Sequence, residues 1–346
     1  MQHEEARIRT GRRSGLPIII AMHSTALGDA VGGCRMKSYP HLYDGLTDAL
    51  ALSEAMTLKC AAAGLDFGGA KSVIVLPPGS TVTGEERRRI FLDFGDAVEA
   101  FGGRYHAAED VGTTAADMAV ARERTAYVHC LPERLGGSGE PAELTAVGAL
   151  AAIEAVWQHL AGTPSLAGSR VTVIGLGQVG SWLARCLADA GAELTVTDVD
   201  LSRRDLATEI GARWADPATA ATAETDLLVP AALGGLLSHD LVTRLRCAAV
   251  VGPANNQLTD DAVSDALAAR GIVWAPDFVV NAGGVIHGVV MDIAGGTSAE
   301  ARTAAREIGP RLAGILRQAD LSGTTPHAVA TEIARRRVAA GARRTV

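Results

Sequence analysis

At 346 residues the chain is long enough for two domains, each burying its own core. Apolar residues make up 48% and aromatics only 4%, which suits close packing of helices on a sheet. A net charge of −7 speaks against nucleic-acid binding, which needs a concentrated basic face. The five scattered cysteines lack a C-x-x-C pair, so no disulfide framework or zinc site is expected and a reducing cytoplasm is. The polar, acidic start Met1-Gln2-His3-Glu4-Glu5 is no signal peptide. The longest apolar stretch, residues 278–296, is broken by Asn281, His287 and Asp292, so no membrane span is expected.

In chain order, residues 16–22 and 72–76 read as buried strands. Between them, Leu46, Leu50, Ala51, Ala55 and Leu58 at three- and four-residue spacing predict a helix over 44–63. A second helix is predicted over 84–101, with Ile90, Phe91, Phe94 and Val98 inward. Residues 136–142 are the best linker candidate. A long helix over 145–159 precedes a strand at 170–174, a glycine-rich turn, a helix over 181–191 and a strand at 193–197 that ends at Asp198. Shorter strands are expected at 248–252 and 274–280, and 215–224 reads as a loop or a poorly specified helix.

The turn after residue 174 is Gly175-Leu176-Gly177-Gln178-Val179-Gly180, a G-x-G-x-x-G with a strand before it and a helix after it. Asp198 stands 18 positions beyond the last glycine. This is the dinucleotide fingerprint: Gly175 for the tight turn, Gly177 for approach of a pyrophosphate, Gly180 for helix–strand packing. Asp198 suits the adenosine ribose hydroxyls and would repel a 2′-phosphate, which favours NAD. Arg203 and Arg204 just beyond read as a solvated helical turn. Ala254-Asn255-Asn256 and Asn281-Ala282-Gly283-Gly284 follow expected strand ends, where ligands of parallel sheets bind.

Only three lysines occur, Lys37, Lys59 and Lys71, against 29 arginines. An arginine cannot lose its proton in a protein, whereas a buried lysine can. Lys71 follows Gly68-Gly69-Ala70 and precedes Val73-Ile74-Val75-Leu76, which places an amine at the mouth of a buried strand. Lys71 with Asp110 forms a possible acid/base pair. His23, His106, His129 and His287 read as isolated packing or surface residues. No metal-ligand cluster or Ser-His-Asp order stands out.

The run Met56-Thr57-Leu58-Lys59-Cys60-Ala61-Ala62-Ala63-Gly64-Leu65-Asp66-Phe67-Gly68-Gly69-Ala70-Lys71 resembles the catalytic motif of the glutamate/leucine/phenylalanine/valine dehydrogenases. So do Gly32-Gly33-Cys34-Arg35-Met36, Ala108-Glu109-Asp110-Val111-Gly112-Thr113, Gly252-Pro253-Ala254-Asn255-Asn256-Gln257-Leu258 and Pro276-Asp277-Phe278-Val279-Val280-Asn281-Ala282-Gly283-Gly284. With the fingerprint these motifs run from about residue 16 to 290, and the leucine/phenylalanine/valine branch is the one resembled.

The resemblance implies an α/β protein of two domains around a cleft. Residues 1–143, completed by a C-terminal helix over 320–346, would form the substrate domain, and 144–319 a doubly wound Rossmann-type dinucleotide domain. It implies NAD-dependent oxidative deamination of an apolar, possibly aromatic, L-amino acid to its 2-oxo acid and ammonia, with the reverse reductive amination, in a homo-oligomer. Lys59 would bind the substrate carboxylate, Lys71 act as general base and Asp110 handle protons at the amino group. Gly32 and Gly33 would approach the substrate, Asn281 hold nicotinamide or substrate, and Thr145 lie at the nicotinamide amide. Val31, Ala108, Val285 and Gly288 would meet the substrate side chain. Small residues at 31 and 288, and the unusual stretch His287-Gly288-Val289-Val290-Met291, imply a pocket enlarged towards aromatic amino acids. The rivals are a reductase for a specialised 2-oxo acid or imine, and a catalytically silent NAD-binding protein. Joint presence of Lys59, Lys71 and Asp110 argues against the silent protein.

Overall fold

A computed structural model of the chain describes residues 3–232 and 234–343. They form two compact units.

The first unit carries a five-stranded mixed sheet, built from β1 (Glu5–Thr10), β2 (Pro17–Ser24), β3 (Ala30–Ser38), β4 (Gly68–Leu76) and β5 (Tyr105–Glu109) in the order β1-β2-β4-β3-β5. Its helices are α1 (Leu42–Ala63), α2 (Gly84–Glu99) and α3 (Ala115–Arg122). β3 runs parallel to both β4 and β5, while β1 and β2 are antiparallel. Side chains alternate across the strands, so the sheet has two apolar faces. Ala30, Cys34, Ala70, Ile74, Tyr105 and Ala107 pack with Phe91, Phe94 and Met118 of α2 and α3. Ile19, Ala21, Val73 and Val75 pack with Ala49 of α1 on the other face.

Local chemistry sets the helix ends. The Asp44 carboxylate accepts the His41 N–H at the start of α1, and Gly64 (φ 78) stops it in the left-handed conformation. Thr114 and Asp117 exchange hydrogen bonds in a capping box that opens α3.

The second unit opens with α4 (Ala142–Ala161). Then come β6 (Arg170–Ile174), α5 (Gln178–Asp189), β7 (Glu193–Thr197), α6 (Arg204–Glu209), β8 (Arg213–Trp214) and β9 (Leu227–Pro230). α7 (His239–Arg244), β10 (Ala249–Val250), α8 (Ala262–Ala269) and β11 (Val273–Trp274) complete the sheet. Its six strands are all parallel in the order β11-β10-β9-β6-β7-β8, so the direction of winding reverses between β6 and β9. This is the doubly wound dinucleotide topology, with its ligand crevice at the reversal. Short helices α9 (Asp277–Val280) and α10 (Gly283–His287) lead to α11 (Ser298–Arg306), α12 (Ile308–Ser322) and α13 (Pro326–Ala342). α4 is apolar and long enough to cross a membrane by composition, but its Gly148 face lies against Ile308 of α12.

Several expectations need correction. The first strand is β1, ahead of residue 16; it is a polar edge strand without a buried face, so no apolar alternation betrays it. Lys71 sits inside β4, not at its mouth, because the strand starts at Gly68. The strand expected over 274–280 is two residues long and gives way at Pro276 to a helical turn. The units also divide elsewhere than at 143 and 319. The second starts at Pro141 and keeps residues up to Glu332, while Gly288–Gly296 and the described residues from Ile333 to Arg343 belong to the first. Two side chains explain this. Asp292 accepts the backbone N–H groups of Cys130 and Ser138. Arg337 donates to the Ala61, Gly64 and Leu65 carbonyls at the C-terminal end of α1, where a cation also meets the negative end of the helix dipole.

Candidate active site

In the first unit the α1 face of the sheet carries the candidate groups Lys71, Asp110 and Arg35. On β3, Val31 pairs with Gly69 of β4 on one side and His106 of β5 on the other, and Gly33 pairs with Ala108. Lys71, two residues beyond Gly69, therefore shares this face with Val31, Gly33, Ala108 and Asp110. Lys71 Nζ lies 3.0 Å from Asp110 Oδ2, and Arg35 Nε donates to the same oxygen at 2.9 Å. Arg35 also reaches Asp48 at 3.0 Å, whose carboxylate accepts the Tyr39 hydroxyl. Thr113 accepts the Asp110 N–H through its hydroxyl oxygen, and that hydroxyl donates to the Cys34 carbonyl. The Asp110 turn is thereby clamped to β3.

Burial pushes the Lys71 ammonium below the ordinary lysine range. Asp110 opposes that shift and Arg35 adds to it. Burial raises Asp110, but Lys71 and Arg35 outweigh it and hold the carboxyl below its usual value. The buried pair thus joins a weakened ammonium to a firmly ionised carboxylate.

The glycines here have a packing reason. A Cβ on Gly32 would lie 1.8 Å from the Ala70 carbonyl oxygen, and one on Gly33 would lie 2.8 Å from the Asp110 Cβ. The β3–β4 ladder lapses between Val31 and Cys34, and the buried Tyr105 hydroxyl donates to the Gly32 carbonyl left over. Gly69 lets α1 approach, since a Cβ there would meet the Thr57 nitrogen at 2.1 Å. Lys59 stands two residues further along that helix, half-buried.

In the second unit the fingerprint turn has the geometry a pyrophosphate needs. Gly175 holds φ +100, and a Cβ on Gly180 would strike the Gly175 carbonyl oxygen at 2.0 Å. A Cβ on Gly177 would meet nothing within 4 Å, so the space before the N-terminus of α5 is open. Gln178 and Val179 are the first residues of that helix, whose leading N–H groups have no side-chain cap. The Asp198 carboxylate accepts from the Leu176 N–H at 2.6 Å and the Asp200 N–H at 2.8 Å, fixing the turn at the end of β7. Arg203 lies 3.6 Å from Asp200, and Arg204 stacks over Trp214.

Asn255 and Asn281 come together: Asn281 Nδ2 donates to Asn255 Oδ1 at 2.9 Å, while the buried Asn281 Oδ1 has no partner among the described residues. Ala254 is buried, and Asn256 adopts φ 51. Thr145 donates to the Pro141 carbonyl and lies beside Gly283 and Gly284, where a Cβ on Gly283 would meet Thr145 Cα at 2.6 Å. Val285 lies on α10 in this unit and Gly288 in the first.

The sequence reading left four contributors unassigned. Arg35 lies inside a motif already quoted, and its odd-numbered register with Gly33 puts it on the same face as Lys71. Buried Gln257 donates to the Gly252 and Ala254 carbonyls and accepts the Trp274 indole N–H, which shapes the Asn255 loop. His106 and His129 are not isolated but bonded to each other at 2.8 Å. Their 23-residue separation hides the pairing from any local pattern.

The family model for the Glu/Leu/Phe/Val dehydrogenase dimerisation domain matches residues 3–127, and that for glutamate/leucine/phenylalanine/valine dehydrogenase matches 136–202 and 199–291. The chain belongs to this dehydrogenase family. It is 41% identical to the valine dehydrogenase of Streptomyces coelicolor, over 97% of this chain and 92% of that one. It is 38% identical to the phenylalanine dehydrogenase of Lysinibacillus sphaericus, over 93% and 85%. Among solved structures, the L-tryptophan dehydrogenase of Nostoc punctiforme superposes with a TM-score of 0.86 at 31% identity, covering 99% of this chain and 97% of that one. The Lys71–Asp110 ion pair and the glycine-rich turn thus stand in a chain of the amino-acid dehydrogenase family.

Proposed function

We propose that the protein is an NAD-dependent dehydrogenase that deaminates an apolar or aromatic L-amino acid to its 2-oxo acid and ammonia, and runs the reductive amination in reverse. The observation that carries this reading is the buried Lys71–Asp110 pair, with Arg35 on the carboxylate. Lys59 binds the substrate carboxylate as a point charge. Asp110, kept ionised by its two cations, takes a proton from the α-ammonium group. A bound nicotinamide would supply the acceptor for the Cα hydrogen and its bonding electron pair. Lys71, its basicity lowered by burial, takes a proton from the water that attacks the imino carbon. Gly32 and Gly33 leave the backbone of β3 bare beside these groups.

The open space at Gly177 and the uncapped start of α5 suit a pyrophosphate. Asp198 suits ribose hydroxyls, and a 2′-phosphate there would face a carboxylate. Arg203 and Arg204 are engaged with Asp200 and Trp214, which supports NAD over NADP. The buried Asn281 Oδ1, without a partner among the described residues, supports a role for Asn281, with Thr145 and Asn255, in holding an amide or amine. Val31, Ala108 and Gly288, all in the first unit, serve the substrate side chain. All five cysteines are free thiols, which suits a reducing cytoplasm.

One plate tests this: reduction of NAD⁺ or NADP⁺ with each common L-amino acid at alkaline pH. NAD⁺ should be reduced with apolar or aromatic substrates. No turnover with any amino acid would refute the reading, and faster turnover with NADP⁺ would refute the cofactor assignment.

A further inference from the structure

Resting on that reading, we infer that the far end of the substrate pocket is a hydrogen-bond acceptor built from His106 and His129. The preferred substrate is then an aromatic amino acid whose side chain ends in an N–H or O–H donor.

The argument starts from register. Val31 and Ala108, proposed above to meet the substrate side chain, share the α1 face of the sheet with His106, which is two residues before Ala108 and directly opposite Val31. Two residues along a strand span about 6.6 Å. That is enough to carry a side chain past Ala108 and onto the imidazole. His106 is packed edge-on against Phe67 and Tyr127, so its ring is held in place among aromatic side chains.

The hydrogen-bond order of the pair can be deduced. His106 Nε2 faces the Asp29 carboxylate at 3.8 Å, which favours a proton on that nitrogen. His106 Nδ1 is then an acceptor, and it receives the Nε2–H of His129 across the 2.8 Å bond. His129 Nδ1 is left with a lone pair and bonds to no described residue. Burial keeps both rings neutral near pH 7; it pushes His129, which also feels His106, down to about 4. A neutral imidazole so arranged accepts a hydrogen bond at Nδ1.

The neighbouring backbone leaves room. Cys130, next to His129, holds φ 56, and its N–H is pinned to Asp292 four residues beyond Gly288. A Cβ on Gly288 would meet only the Cys130 sulfur, at 3.7 Å. Gly288 is therefore not a glycine imposed by crowding.

The test compares kcat/KM for phenylalanine, tyrosine and tryptophan with NAD⁺ in the wild-type protein and in His129→Leu and His129→Asn. A site with a buried polar group discriminates strongly against an analogue that leaves it unpaired. Tyrosine or tryptophan should therefore exceed phenylalanine by about tenfold or more. His129→Leu should collapse that ratio by a similar factor, and His129→Asn, which keeps an acceptor, should restore part of it. Tyrosine and tryptophan identify the phenolic and indole versions respectively. The inference is overturned if wild type prefers phenylalanine, or if His129→Leu leaves the ratios unchanged. Absence of turnover with every L-amino acid would refute the dehydrogenase reading itself, and this inference with it.

Discussion

Lys71 and Asp110 make opposite use of one environment. Burial weakens the ammonium while two cations keep the carboxylate ionised. Replacing Lys71 with Ala should lower kcat by about 10²–10⁴-fold, the usual worth of a positioned base. Lys71→Arg should fare little better, since a guanidinium keeps its proton; near-normal turnover in that variant would end the assignment. Deamination needs the free amine, so kcat/KM should rise with pH and level off below the ordinary lysine pKa of about 10.4. Asp110 holds the Lys71 pKa up. The weaker activity left in Asp110→Asn should therefore show its rising limb at lower pH, measured as a full pH profile. Lys59→Ala should raise KM for the amino acid by about tenfold or more while KM for the dinucleotide stays put, because one lost charge-assisted contact to the substrate is worth about 1.5–3 kcal/mol. Equal weakening of both would mark Lys59 as structural. The scarcity of lysine and the glycines before Lys71 made these residues legible. Arg35 and the histidine pair depended on strand register, which a sequence does not display.

At the scale of elements, the strand–turn–helix from β6 to α5 was readable because each glycine answers a local steric need. Two of those needs can be separated. Gly180→Ala drives a methyl into the Gly175 carbonyl oxygen at 2.0 Å. It should lower Tm, with overpacking of this kind costing about 1–3 kcal/mol, and weaken dinucleotide binding. Gly177→Ala meets nothing within 4 Å. Its Tm should therefore hold while the dinucleotide KM rises by about tenfold, because the methyl occupies the space proposed for the pyrophosphate. Thermal melts and cofactor titrations of the two variants check this, and an equal loss of Tm in both would remove the distinction. The elements that escaped the sequence share a cause. β1 is a polar edge strand, β3 carries Gly32-Gly33 at its middle, and β8 is two residues long. None offers enough alternation to register as a period.

For the whole molecule, the family description of its N-terminal part as a dimerisation domain supports a homo-oligomer. Among the described residues β1 closes one side of its sheet with an unpaired edge and leaves Ile8 47% exposed, a surface that isolated proteins usually protect. Sedimentation of the intact chain at micromolar concentration should give at least twice the 35.6 kDa chain mass; a species of single-chain mass would overturn the expectation. The sequence by itself determined the fold class and the dinucleotide turn, because these rest on local patterns of hydrophobic periodicity and glycine spacing, and it singled out Lys71 by the rarity of lysine. Tertiary structure alone decided which distant residues share a face. It joined His106 to His129, set Arg35 on Asp110, and returned Asp292 and Arg337 to the first unit across more than 150 residues of chain. Such pairings follow from strand order and backbone direction, and no window along the chain contains both partners.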